Sequence, residues 1–237
     1  MSTTEPVIAR AGRSRAPAKP TIAGKPPRRR TQAERSDEMQ QRLVEAAATV
    51  LHKKGYAGLR TDEVARAAKV SRGALQHHYP SKDSLVVATA EHLLRASLTR
   101  GQNRAATAVA AADPIDAIIA DGMEFFLGPD FGVVLDLVLA GSKSRGLRDQ
   151  IYAHARESRL GVEEAWLGLL VEHGVPRAKA EKVLWLTISL IRGLAVRALW
   201  QRDEALFKSL LDEWKLIVAE HLRAYTHITP KTKGAPR

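Results

Sequence analysis

Between Thr61 and Leu85 the chain reads TDEVARAAKVSRGALQHHYPSKDSL, and the side chains suited to chemistry sit at its centre. Arg72 and Gln76 stand four residues apart, about one helical turn, so on a helix they share a face. A guanidinium can make paired hydrogen bonds to O6 and N7 of guanine, and a carboxamide can do the same to N6 and N7 of adenine. Gly73 and Ala74 lie between them and are small enough to let the backbone approach a groove. His77 and Tyr79 project from the same short segment. Lys82 follows at the start of a further helix, where an ammonium beside free backbone N–H groups suits a phosphate. Adjacent His77 and His78 do not make a metal site, because neighbouring side chains diverge on a helix and no cysteine or third histidine stands nearby at ligand spacing. No phosphate loop, G-x-S-x-G, H-E-x-x-H or paired acidic helix motif occurs anywhere. An all-helical enzyme is therefore the weakest reading, and neither a metal nor a cofactor is expected.

Two short helices must hold those side chains. Thr61 suits an N-cap, with Asp62 and Glu63 in the first turn where the helix dipole favours acids, predicting a helix over about 61–68. Ser71 caps a second, which ends near Tyr79 because Pro80 restricts the residue before it. The three residues between them, Lys69-Val70-Ser71, give the dimensions of a helix-turn-helix. Ala65 is small where the helices would cross, and Val70 and Leu75 would lock the turn into a core. A preceding helix over about 35–54, apolar at Leu43, Ala47, Val50 and Leu51, is stopped by Gly55. Ser81 caps a longer one running to about Arg100.

The pattern Thr61-x-x-x-Ala65-x-x-Ala68-x-Val70-Ser71-x-Gly73-x-Leu75-x-x-His78-Tyr79-x-Ser81-Lys82-x-x-Leu85 resembles the N-terminal domain of the TetR/AcrR family of bacterial transcriptional regulators. Gly55-Tyr56-Ala57-Gly58 resembles the turn that ends that family's first helix, so the similarity covers about residues 35–85. The resemblance implies Arg60 and Thr61 on the DNA backbone, Arg72, Gly73, Gln76, His77 and Tyr79 near the major groove, and Lys82 on a phosphate. Lys69 and Ser71 in the turn join this set. It also implies a homodimeric repressor of double-stranded palindromic operator DNA, released by a small-molecule effector and located in the bacterial cytoplasm at the nucleoid. There are departures. The family commonly has Gly at the position of Lys69, Tyr at that of Gln76, and Tyr-Phe at those of His78-Tyr79. Lys69 adds a cation at slight backbone cost if the turn needs a positive φ, and Gln76 prevents any operator preference from being carried over.

The 237 residues carry a net charge of +11 and no cysteine, which excludes a disulfide scaffold, thiolate metal sites and cysteine nucleophiles and fits a reducing cytoplasm. The apolar runs Val133–Ala140, interrupted by Asp136, and Val183–Ile191 are too short to span a bilayer, and no secretory leader is evident, so no membrane partner is expected. Residues 1–33 hold eight basic residues against Glu5 alone and read as a disordered arm, with Arg28, Arg29 and Arg30 placed to track phosphates or enter a minor groove. The expected organisation is that arm, a helix-turn-helix domain over 34–82, a helical effector-binding and dimerisation domain over 83–226, and a basic tail over 227–237. An alternative is a sequence-nonspecific nucleic-acid-binding protein that works through its basic tails, in which case deleting residues 1–33 abolishes binding.

Strand signals are nearly absent. Further helices are expected over about 114–127, 130–141, 145–173, 177–200 and 203–226, giving an all-α fold of about nine helices. Residues 183–199 are apolar nearly all the way round, and the last helix carries two apolar edges: Leu206, Leu210 and Ile217 on one, Phe207, Leu211, Trp214, Val218, Leu222 and Tyr225 on the other. Such a stripe is too wide for one partner, so one edge should cover the protein's own core and the other a second copy. The dimer contacts are expected at Leu190, Leu194, Ala198, Leu211, Trp214, Val218 and Leu222. Met123, Phe125, Phe126, Trp166 and Trp185, with Tyr152 as a polar anchor, make the candidate pocket for a largely apolar effector.

Overall fold

The structure, a computed structural model, describes residues 31–110, 113–141 and 145–226. The basic arm with Arg28, Arg29 and Arg30, and the tail from 227 onward, lie outside the described residues. Among those described there are nine α-helices, one 3₁₀ turn and no strand. No helix among them is long and apolar enough to cross a membrane.

Helix α1 (Gln32–Gly58) begins three residues earlier than its apolar pattern suggests, because Thr31 and Glu34 form a capping box: the Glu34 N–H donates to Thr31 Oγ1 at 3.1 Å and the Thr31 N–H to Glu34 Oε2 at 2.7 Å. Gly55 kinks this helix rather than ending it. Its φ of 65° lies in the left-handed region, and a Cβ there would stand 2.9 Å from Asp136 Oδ2. Helices α2 (Thr61–Ala67) and α3 (Arg72–His78) follow. Arg60, not Thr61, takes the N-cap position of α2, with no side-chain cap bond; Thr61 is already helical, and the first turn rests on Asp62 and Glu63. Ser71 and Ser81 cap as expected, accepting from the N–H groups of Ala74 and Ser84.

Helix α4 (Lys82–Thr107) passes straight through Gly101, where a Cβ would meet the Val162 methyls at 2.9 Å. This glycine is a point of close helix approach and not a stop, so α4 continues well beyond Arg100. Asp113 caps α5 (Pro114–Phe126) with proline at the first position, as the sequence suggests. Then come α6 (Pro129–Gly141), α7 (Arg145–Glu172), α8 (Arg177–Ala198) and α9 (Glu204–Thr226). The most extensive helix pair is α4 with α7.

Buried side chains form two clusters. In the body, Trp166, Leu170, Leu184, Ile191 and Phe207 are fully enclosed. In the head, Leu43, Leu51, Val64, Ala65, Leu75 and Leu85 pack together, and Val133, Leu137, Leu147 and Ile151 from α6 and α7 complete the same cluster. A division at 82/83 therefore does not separate two cores, because α6 lies against α1 and closes the underside of the head.

Candidate nucleic-acid interface

Local signals fix α3 closely. Leu75 points inward and is almost fully buried, while Arg72, Gly73, Gln76 and His77 stand exposed on the opposite side. Ser71 Oγ holds the first turn, and the Tyr79 N–H closes the last by donating to Leu75 O at 2.8 Å. The turn before α3 is a Schellman arrangement: the Val70 N–H reaches Ala65 O at 3.0 Å and the Lys69 N–H reaches Arg66 O at 3.1 Å. Such a turn needs a left-handed residue, and Lys69 supplies it with φ 55°, alone among the described non-glycine residues. Its side chain is exposed beside α3. An Arg42 guanidinium N–H donates to Ala68 O, tying the end of α2 to α1. Arg60 is exposed and Thr61 half-buried at the start of α2.

Two expected contacts are placed differently. Lys82 Nζ donates to Tyr56 O at 2.7 Å and lies 4.2 Å from the centroid of the Tyr56 ring, so the ammonium clamps the kinked end of α1 instead of standing free for a phosphate. Tyr79 packs its ring against the head cluster. Burial, and then the Glu91 carboxylate, push its phenol above the ordinary tyrosine value, as expected for a mainly structural ring. His78 is half-buried on the inner side of α3, while His77 faces out.

The joint between head and body was not legible as function in the sequence. The Tyr56 N–H donates to Asp136 Oδ2 at 2.6 Å, so a carboxylate on α6 satisfies the backbone group left over by the Gly55 kink. Nearly two turns earlier, Asp130 bridges α1 and α4: His52 Nε2 lies 3.1 Å from Oδ1, and Arg100 Nη2 donates to Oδ2 at 3.1 Å. The signal available was Asp136 itself, an acid inside an apolar run. Asp130 gave none, because an acid in the first turn of any helix is unremarked.

Several expected roles in the body change. Leu194, Leu211, Val218 and Leu222 are buried within the protomer, and Leu190, Ala198 and Trp214 pack partly buried against the same core. The expected dimer edge is thus the inward edge. The Trp214 indole N–H is held by Thr187 Oγ1 at 2.9 Å. The outward edge carries Leu206, Leu210, Leu216 and Ile217, flanked on and beyond α8 by Leu186, Leu199 and Trp200. Among the pocket candidates, Phe125 and Phe126 meet edge to face at 4.9 Å and both meet Phe131, which the sequence did not single out. Met123 is half-buried on the same helix. Trp166 is fully enclosed and its indole N–H donates to Asp121 Oδ2 at 3.0 Å. Trp185 and Tyr152 do not face inward: Trp185 is 48% exposed and belongs to the outer apolar surface, and Tyr152 is exposed on α7.

A capped three-residue turn with an exposed reading helix behind it defines a helix-turn-helix DNA-binding protein. Residues 43–89 match the tetR family of bacterial regulatory proteins. The chain is 46% identical over 182 residues to the HTH-type transcriptional regulator CymR of Pseudomonas putida, covering 77% of this chain and 90% of that protein. Its fold is similar to that of a transcriptional regulator from Rhodococcus sp. Rha1, at 22% identity and TM-score 0.60 over 80% of this chain and 99% of that one. It is also similar to the multidrug binding protein EbrR complexed with imidazole, at 22% identity and TM-score 0.51 over 74% and 93% of the two chains. The chain belongs to the TetR family of bacterial regulatory proteins and is a DNA-binding transcriptional regulator.

Proposed function

We propose that this regulator is a repressor, binds a palindromic operator as a homodimer, and leaves it when a small molecule enters the body. The observation that carries the reading is the exposed face of α3, where Arg72 and Gln76 offer paired donors and acceptors beside Gly73 while Leu75 anchors the helix from behind. Arg60, Thr61, Lys69 and Ser71 flank that face and contact the sugar-phosphate backbone. The basic arm before Thr31 adds phosphate contacts.

The second copy covers the outer apolar surface of α8 and α9. Trp200 is 70% exposed and Leu216 67%, and Leu186, Leu199, Leu206, Leu210 and Ile217 on and beside the same two helices are also exposed, a concentration of large apolar side chains that suits a surface kept for a partner. Two copies joined there carry two reading helices, whose separation must match one DNA turn of roughly 34–36 Å. An effector that prefers another separation releases the operator by population shift. The body connects to the head through α4, which begins beside α3, and through Asp130 and Asp136 on α6.

Selecting the operator from random duplexes and measuring affinity by fluorescence anisotropy tests the reading. Arg72→Ala and Gln76→Ala should each weaken the selected site by about 10- to 100-fold and relax its preference at one base pair, with melting temperature unchanged. Equal affinity of both variants for operator and for unrelated duplex would refute it.

A further inference from the structure

Arg42 lies on α1, outside the residues placed against DNA, and it is exposed. Its guanidinium nevertheless reaches across to α2, where one N–H donates to the carbonyl of Ala68. Glu45, the nearest acid on α1 that borders the same site, is engaged by Gln41 Nε2 at 2.7 Å. The Ala68 carbonyl belongs to the peptide unit that joins Ala68 to Lys69. That unit lies between ψ of Ala68, −6°, and φ of Lys69, 55°, the dihedrals that turn the chain out of α2 toward α3. A lysine at positive φ is pulled back toward the right-handed region, so this turn does not hold itself as it would with glycine.

The backbone closes the carbonyls of Ala65 and Arg66 through the N–H groups of Val70 and Lys69, but among the described residues no backbone donor reaches Ala68 O. Arg42 supplies that bond, and a charged donor makes it a strong one. At the other end of α2, Lys54 on α1 pairs with Glu63, so the long first helix grips both ends of the short second one. Packing alone does not set the direction of α3. Leu75 is the single buried side chain of this seven-residue helix, and Val70 and Tyr79 at its ends are partly buried. A helix anchored at one point takes its angle from the turn that leads into it, and Arg72 stands at that end.

We propose that Arg42 is a positioning residue for operator readout: by pinning the Ala68–Lys69 peptide it fixes the angle at which α3 presents Arg72 and Gln76, and it touches no DNA itself. This deepens the reading of α3 as the helix that selects the operator and rests on it. Paired hydrogen bonds to base edges fail with small misalignments, whereas phosphate contacts carry no sequence information and are made by many groups. Loss of Arg42 therefore costs specificity and spares general affinity. Arg42, Ala68 and Lys69 border an open hollow of about 280 Å³, so water can take over the freed carbonyl and the fold does not depend on the bond.

Fluorescence anisotropy on the full chain, with the selected operator and an unrelated duplex, tests this. Arg42→Met should weaken the operator about 10-fold and the unrelated duplex by less than about 2-fold, with the salt slope for the operator unchanged. Arg42→Lys, whose ammonium still reaches the carbonyl, should recover most of that loss. Arg42→Gln is too short to reach it and should behave as the methionine variant does, which keeps the test open if that variant does not fold. Made on top of Arg72→Ala, Arg42→Met should cost the operator only about 2- to 3-fold, because the side chain it places is gone. The proposal is overturned if the ratio of the two affinities stays unchanged in Arg42→Met, or if the Arg42 and Arg72 losses simply multiply. It is also overturned if both duplexes weaken together and the salt slope falls by about one contact, as a phosphate-binding arginine would require. An Arg72→Ala protein with unaltered operator preference would refute the reading of α3 itself, and this inference with it. An altered preference there, with Arg42→Met unaltered, would refute the role of Arg42 alone.

Discussion

Every buried side chain between Thr31 and Lys82 is apolar, whereas α4 closes over Thr89 and Ser97 and the rest of the body over Asp121, Ser158, Glu163 and Thr187. Three of the last four are well satisfied. Thr187 donates to Val183 O at 2.7 Å and accepts from Trp214, Ser158 donates to Leu94 O at 2.9 Å, and Asp121 accepts from Arg104 and Trp166. Glu163 has only the long approach to Arg159. A close-packed core of apolar side chains has one good arrangement, which suits a platform that must present Arg72 and Gln76 at fixed geometry. A core holding an imperfectly paired charge is open to rearrangement by a ligand that completes the pairing, which suits a sensor.

The largest effect that tests this contrast concerns which edge of α9 faces inward. Phe207 is fully enclosed, while Leu210 three residues later is 40% exposed. Phe207→Ala should cost about 3–5 kcal/mol of protomer stability, read by urea denaturation. Leu210→Asp should leave the protomer folded and shift sedimentation toward monomer, weakening the operator complex with it. A stable Phe207→Ala protein with altered oligomeric state would reverse the assignment and return the interface to the Leu211–Val218 edge.

That edge illustrates why the body was harder to read than the head. The boundaries of α3 follow from Ser71 and Pro80, and its inward residue from Leu75 alone, so local chemistry decides them. On α9 both edges are apolar, and local propensity cannot say which one meets α8 of the same chain. The choice depends on long-range packing of Phe207, Leu211 and Val218 against α5 and α8. The inward turn of Arg159 was invisible for a related reason. It lies in the charged stretch His154-Ala155-Arg156-Glu157-Ser158-Arg159, where neighbouring polar residues such as Arg156 and Glu157 are exposed, and only the fold turns it inward. Thr61 failed differently: a good cap residue stood next to the cap position, and the backbone of Arg60 took that place.

A smaller effect tests whether head and body are one cooperative unit. Asp136→Ala removes the acceptor of the Tyr56 N–H at a half-buried site, leaving a backbone donor unsatisfied at a cost of about 1–3 kcal/mol. Because α6 completes the head cluster, the loss should appear as a lower midpoint of a single transition. Two separated transitions would show that the head folds without α6 and that the joint is only a contact between independent parts.

The smallest effect separates the two regions most cleanly, because both use the same turn. After α7, the Val175 N–H reaches Leu170 O at 3.1 Å and the Gly174 N–H reaches Val171 O at 2.9 Å, with Gly174 at φ 89°. After α2 the same pair of bonds closes around Lys69 at φ 55°. The body uses the residue without a Cβ penalty; the head accepts the penalty to place an ammonium beside the reading helix. Lys69→Gly should therefore stabilise the protein by about 0.5–1 kcal/mol, the left-handed strain outweighing the extra entropy of an unfolded glycine. It should also lower the salt dependence of operator binding by about one phosphate contact. Gains in stability and losses in affinity from one substitution would establish that the head holds this strain for DNA. If stability rises and the salt slope stays fixed, Lys69 is strained without touching phosphate, and the head's one departure from locally favoured backbone has no part in binding.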